Sequence, residues 1–188
     1  NKITFGIRFY PGSSTYFIRE RAKATAQTMV DLNLLNISSI QNLNNRMLQA
    51  NNLNEMVSVC NEVLAGALRN QNHFSQDPTL NNILYKIVTG RGAVTVEEIS
   101  SEEVIGNRTM NRLFEERIGL SPKKFSQVIR FQSVLNAWVN NPSSTHFPEG
   151  YYDQSHSIKD FKKRIGKNPS QLNVSEFYNT VFHPSGSM

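Results

Sequence analysis

The sequence predicts an all-α protein: a helical bundle with two helix-turn-helix units joined by a long linker helix, preceded by a helical segment and at most one short strand. Three observations carry this. Apolar residues recur at helical spacing through most of the chain. Two start signals, Thr95-x-x-Glu98 and Ser121-Pro122, mark helices in the second half. A glycine turn followed by a short basic helix occurs twice, at Gly106-Asn107-Arg108-Thr109-Met110-Asn111-Arg112-Leu113-Phe114 and again from Gly150 to Arg164.

Size and composition set the bounds. At 188 residues the chain has room for one domain or two small ones, and 38% hydrophobic content allows a modest core. No apolar run approaches the ~18 residues of a membrane span, so no membrane association is expected. Residues 1–15 lack the charged and apolar regions of a signal peptide. The single Cys60 cannot close an internal disulfide, which fits a reducing cytoplasm. A net charge of +5 favours polyanionic partners. That charge is concentrated: Lys159, Lys162, Lys163, Arg164 and Lys167 stand against Asp160 alone within 159–167. A solvated helix face would carry the same run.

The elements follow in order. Residues 3–9 alternate like a strand, which Pro11-Gly12 ends. A helix is expected over 15–35. Ser38 or Ser39 caps another through about Ala50. Asn54 caps a third, with Met56, Val57, Val59, Val63, Leu64 and Leu68 inward and Cys60 as a small packed residue. The polar run 70–78 marks the domain boundary. Thr79 then caps a helix with Leu80, Ile83, Leu84, Ile87 and Val88 as its stripe, and Gly90 stops it. A short helix spans about 96–102. After a turn at 104–106 a second runs from Asn107 to Arg117, with Met110, Leu113 and Phe114 inward and Gly119 at its end. The linker helix starts at Ser121-Pro122 and continues to about Val139, packing through Phe125, Val128, Ile129, Val134, Leu135 and Trp138. Asp153 caps the basic helix, which ends near Gly166. Asn168-Pro169 starts one further turn, and 173–188 form a tail. The expected organisation is therefore 1–77, 78–172 and 173–188.

In a helix-turn-helix the second helix enters the major groove, and residues near its start reach base edges. The residue types fit that task. Arg108 and Arg112 can each donate two hydrogen bonds to guanine, and Asn111 can pair with adenine. They lie at i, i+3 and i+4, on one helical face. Gln154, Ser155, His156 and Lys159 hold the corresponding start of the second unit. Asn107, Lys162 and Lys163 complete the candidate DNA-binding set. An ordinary polar surface helix would also accept these residues, and Arg112 could instead pair with Glu115 or Glu116.

Residues 79–172 resemble the DNA-binding domain of AraC/XylS-type transcription regulators. The first unit carries Met110-x-Arg112-x-Phe114 and Gly119-Leu120-Ser121-Pro122. The second carries Gly150-Tyr151-Tyr152-Asp153-Gln154-Ser155-His156, then Phe161-Lys162 and Gly166-Lys167-Asn168-Pro169. The resemblance implies a seven-helix domain whose two recognition helices enter successive major grooves of double-stranded DNA. Arg108, Asn111 and Arg112 would read one groove, and Gln154, Ser155, His156 and Lys159 the next. Residues 3–69, notably Phe5-Gly6-Ile7-Arg8-Phe9-x-Pro11-Gly12, resemble the helical tail of a sensory domain in some of these regulators. This implies a ligand-binding or dimerising region before Asn1, a small-molecule effector acting through it, and a homodimer.

Departures from the family pattern fall mainly in the second unit. Thr145 and His146 replace an Ile-Ala pair, and Pro148 follows them. Proline inside a helix costs ~3 kcal/mol, so the supporting helix there must be very short or absent. Ser157 stands where the family has Phe, removing an anchor worth roughly 1.5–3 kcal/mol when buried. In the first unit Ser100 replaces Ala and Val104 replaces the turn Gly. The first unit is therefore expected to supply more of the base readout.

An enzyme is not expected. There is no HExxH, CxxC, Gly-rich phosphate loop or Gly-x-Ser-x-Gly. His73, His146, His156 and His183 are scattered without metal-ligand spacing. Cys60 has no basic sequence neighbour to activate it, and DNA-repair alkyl-transfer proteins with a similar module need dedicated cysteines. No cofactor is expected. The reading is a cytoplasmic, sequence-specific transcription regulator, with RNA polymerase as a further partner if it activates. The alternative is a helical protein-interaction module with a degenerate DNA-binding site.

Overall fold

The computed structural model describes residues 6–18, 21–26, 28–31, 43–69, 77–140, 154–168 and 171. The fold is all-α. Its helices are α1 (Ala22–Thr25), α2 (Leu43–Gln49), α3 (Leu53–Arg69), α4 (Pro78–Thr89), α5 (Val96–Glu102), α6 (Asn107–Arg117), α7 (Pro122–Asn140) and α8 (Gln154–Ile165), with a 3-10 turn at Ser13–Tyr16. The chain divides into two compact units. One comprises Asn1–Tyr85 with Val96–Pro122, the other Lys86–Thr95 with Lys123–Met188.

The N-terminal region departs from expectation. Residues 6–9 of the expected strand are irregular, and 3–5 lie outside the described residues. No strand pairs with this stretch among the described residues; Phe9 instead stacks on Phe17, ring centroids 4.9 Å apart. The expected 15–35 helix is not continuous. The 3-10 turn and α1 are short, and 28–31 are irregular. Hydroxyls explain the breaks. Thr15 donates to the Gly12 carbonyl, Thr25 to that of Ala22 and Thr28 to that of Thr25. Such bonds give the backbone an alternative to helix. Ala26, with ψ 131°, then turns the chain extended.

Ser38 and Ser39 lie outside the described residues, so the start of α2 is seen only from Leu43. The α3 cap is Asn52, not Asn54. Asn52 Oδ1 accepts from the Glu55 N–H, while Glu55 reaches back to Asn52 Nδ2 and the Asn51 N–H. This is a reciprocal cap of the capping-box kind. It holds the Glu55 carboxyl below its ordinary range, chiefly through the Asn51 N–H. Arg46 on α2 pairs with Glu62 on α3 at 2.6 Å. The hydrogen bond from Arg46 lowers the Glu62 pKa, and the bond to Glu62 raises that of Arg46. Cys60 and Ala67 are the buried residues of α3, while Val57 and Leu68 are exposed. The expected stripe was too broad: Met56, Val59, Val63 and Leu64 are half-buried, but Val57, adjacent to Met56, is turned out. Cys60 lies 3.6 Å from Met47 Sδ, and burial pushes its thiol pKa up, as for a packed residue.

The α4 cap is Asp77, whose Oδ1 accepts from the Leu80 N–H, with Pro78 as first helical residue. Thr79, the expected cap, lies inside the first turn, because Asp-Pro supplies both cap and start. Leu80, Ile83, Leu84 and Ile87 are buried as expected; Val88 is exposed, because Ile87 takes the inward place.

Both α4 and α5 end in Schellman motifs. After α4, Gly92 N bonds to Ile87 O and Arg91 N to Val88 O. After α5, Ile105 N bonds to Ser100 O and Val104 N to Ser101 O. The left-handed residue of this motif is usually Gly; here it is Arg91 (φ 52°) and Val104 (φ 51°). Helices α5, α6 and α7 have the expected starts at Val96, Asn107 and Pro122. Met110, Phe114, Phe125, Val134 and Leu135 are buried in them. The side chain of Trp138 lies outside the described residues, as do Asp153 and the departures Thr145, His146 and Pro148.

Candidate nucleic-acid interface

In the first unit the candidate residues sit on α6. Met110 and Phe114 are fully buried, which turns the opposite face outward. Arg108, Asn111 and Arg112 are exposed on that side, and Asn107, on the Met110 side of the helix, is exposed at its first turn. Among the described residues neither Arg108 nor Arg112 has an ion-pair partner. The expected rival pairing of Arg112 with Glu115 does not form; Glu115 pairs with Lys23 of α1 at 2.7 Å. Asn111 Nδ2 donates to the Asn107 carbonyl at 2.8 Å, which tethers the amide to its own helix.

The start of α6 is electrostatically unusual. Gly106 is its N-cap, with no side-chain cap bond, and no acid lies in the first turn. The first helical N–H groups carry the positive end of the macrodipole. Arg108 adds a cation there instead of a compensating acid. Such a start disfavours other cations and suits an anion.

In the second unit the candidates sit on α8. Phe161 is buried and packs against Phe131 of α7, centroids 5.6 Å apart. Arg164 lies 5.4 Å above the Phe131 ring and bonds to Asp160 at 3.0 Å. This anchoring turns Ser155, Lys159, Lys162 and Lys163 outward, where they are exposed. The side chains of Gln154, His156 and Ser157 lie outside the described residues. Lys162 and Lys163 are in the last turn of α8, where cations complement the dipole. Their placement has a structural reason that Arg108 lacks.

Sequence reasoning missed Lys23, because 92 positions separate it from its partner Glu115. Among the described residues no group of three or more His, Cys, Asp or Glu could hold a metal ion. Among them, too, no helix is long and apolar enough to cross a membrane. No family model, curated protein or solved structure matches the chain.

Proposed function

We propose that this chain is a sequence-specific DNA-binding transcription regulator of the AraC/XylS type, with α6 and α8 as recognition helices for successive major grooves. The observation that carries the reading is the start of α6. Arg108 and Arg112 are exposed without ion-pair partners among the described residues, beside an uncapped helix N-terminus. An anionic ligand with hydrogen-bonding edges suits that combination, and duplex DNA offers both. In the second unit the exposed Ser155 and Lys159 of α8 face the bases, and the exposed Lys162 and Lys163 supply phosphate contacts.

In this reading the chain has no catalytic role. It acts in the cytoplasm, with RNA polymerase as partner where it activates and a small-molecule effector acting through the sensory part. Homodimerisation runs through the N-terminal helices of residues 39–69. The test is salt-dependent binding to duplex DNA. Neutralising 6–10 phosphates should cost about 10³–10⁵ in affinity between 50 and 200 mM salt. Affinity too weak to measure at the lower salt would reject the reading.

One observation favours the second reading, a protein-interaction module. Leu53, Val57 and Leu68 of α3 are exposed. At 100° per residue they fall within an arc of roughly 60°, as a helix-docking face would. Capture of a partner protein by a chain that does not bind DNA would decide for that module.

A further inference from the structure

The face of α6 that carries the candidate readers does not end at Arg112. At 100° per residue, Arg108, Asn111, Arg112 and Glu115 share an arc of about 100°. Glu115 is the acid on that stripe, and a bare carboxylate there would repel phosphate. Lys23 covers it, with Nζ 2.7 Å from Oε2 and both side chains well exposed, at 67% and 46%.

An ion pair this exposed is too weak to hold a chain segment in place. Packing holds it. A Cβ on Gly119 would come within 2.8 Å of the Ala22 carbonyl oxygen and 3.0 Å of Ala26 Cβ, so α1 lies directly against the end of α6. A Cβ on Gly12 would come within 3.3 Å of Ile118 Cδ1, and Thr15 and Phe17 are buried. Lys23 is therefore delivered to the stripe by the packing of the N-terminal segment against the end of α6, and Glu115 orients its ammonium.

We propose that Lys23 is a phosphate contact of the nucleic-acid interface, supplied to α6 by the N-terminal segment. This rests on the DNA-binding reading given above. From Arg108 to Glu115 the helix rises about 10 Å, against a major groove about 12 Å wide. With Arg108 at the bases, a cation beside Glu115 reaches the phosphates that flank the groove. One of the three ammonium N–H groups serves Glu115, and the other two are available to phosphate oxygens.

The competing role is a structural latch, and charge-neutral variants separate the two. The full chain is titrated with a fluorescein-labelled, mixed-sequence duplex of roughly 30 base pairs between 50 and 200 mM salt. Lys23→Gln should weaken binding and make the logarithmic salt slope shallower by about 0.9, so that its deficit shrinks about 3-fold across that range. Lys23→Arg should restore the slope. Glu115→Gln should tighten binding, because it frees the ammonium. Circular dichroism confirms that each variant is folded. If Lys23→Gln leaves the slope unchanged, or if both neutral variants shift affinity in the same direction, Lys23 is a latch and the proposal is overturned. If wild type shows no salt-dependent binding at all, the DNA-binding reading itself has failed.

Discussion

Arg130 donates from both Nε and Nη2 to the carbonyl oxygen of Gly92, at 3.2 and 2.6 Å. Gly92 follows the Schellman turn that closes α4. Its φ of 72° is left-handed, and a Cβ there would overlap the Ser126 carbonyl oxygen and stand 2.8 Å from the Arg130 N atom. The end of α4 thus lies on the backbone of α7, with a guanidinium clamped over its carbonyl. A cation at that end also complements the helix dipole.

Gly92→Ala should destabilise the protein by about 3 kcal/mol or more, since backbone and not a flexible side chain blocks the new methyl. Arg130→Leu should cost about 1.5–3 kcal/mol through the lost charged hydrogen bonds. Gly66→Ala is the control: nothing lies within 4 Å of a Cβ there. In the middle of α3 it should stabilise by roughly 0.5–1 kcal/mol. Urea denaturation of the three variants checks the order.

Val104 should be a point of strain. It is a β-branched residue at φ 51°, and at 93% exposure it gains no burial in return. Val104→Gly should relieve left-handed strain of roughly 1–2 kcal/mol, less about 0.5–1 kcal/mol of added chain entropy. A rise in Tm of a few degrees is expected; no rise, or a fall, would show that the turn carries no strain. The neighbouring Ser100 hydroxyl donates to the Ile105 carbonyl at 2.5 Å and braces the same turn. Ser100→Ala should therefore lower Tm.

The cap of α3 should be acid-sensitive. Its folded pKa is depressed, so Glu55 contributes stability above its ordinary value of 4.5 and loses it as pH falls through the lowered folded value. Helix content followed by circular dichroism should fall in that window, and Glu55→Gln should remove this component. An unchanged acid profile in Glu55→Gln would count against the cap as its source.

If α6 and α8 are recognition helices, as proposed, they should not contribute equally. On one duplex, Arg112→Ala should cost about 1–3 kcal/mol and relax selectivity at the base it reads. Lys159→Ala should cost less, because the first unit supplies more of the base readout. A larger and sequence-selective loss from Lys159→Ala would reverse the assignment.

What the sequence made legible was local. Thr95-x-x-Glu98, Gly106, Gly119 and Ser121-Pro122 mark α5, α6 and the start of α7, because caps and glycine stops act over three or four residues. The exposed face of α6 followed from Met110 and Phe114 by helical spacing alone. Asn54 and Thr79 failed as caps because stronger candidates, Asn52 with Glu55 and Asp77 with Pro78, lay two residues upstream. The 15–35 stretch failed because threonine hydroxyls compete for its carbonyls. Lys23 beside Glu115, and Gly92 against Ser126, were out of reach. Both depend on packing between distant segments, which leaves no local pattern.

In the proposed function α6 and α8 read duplex DNA together. That reading is tested most directly by selecting bound fragments from random DNA with the full chain at ~150 mM salt, with an Arg108→Ala/Arg112→Ala variant as control. A motif of two blocks about one helical turn apart is expected, with one block lost in the variant. No enriched motif, or a motif that the variant retains in full, would contradict it.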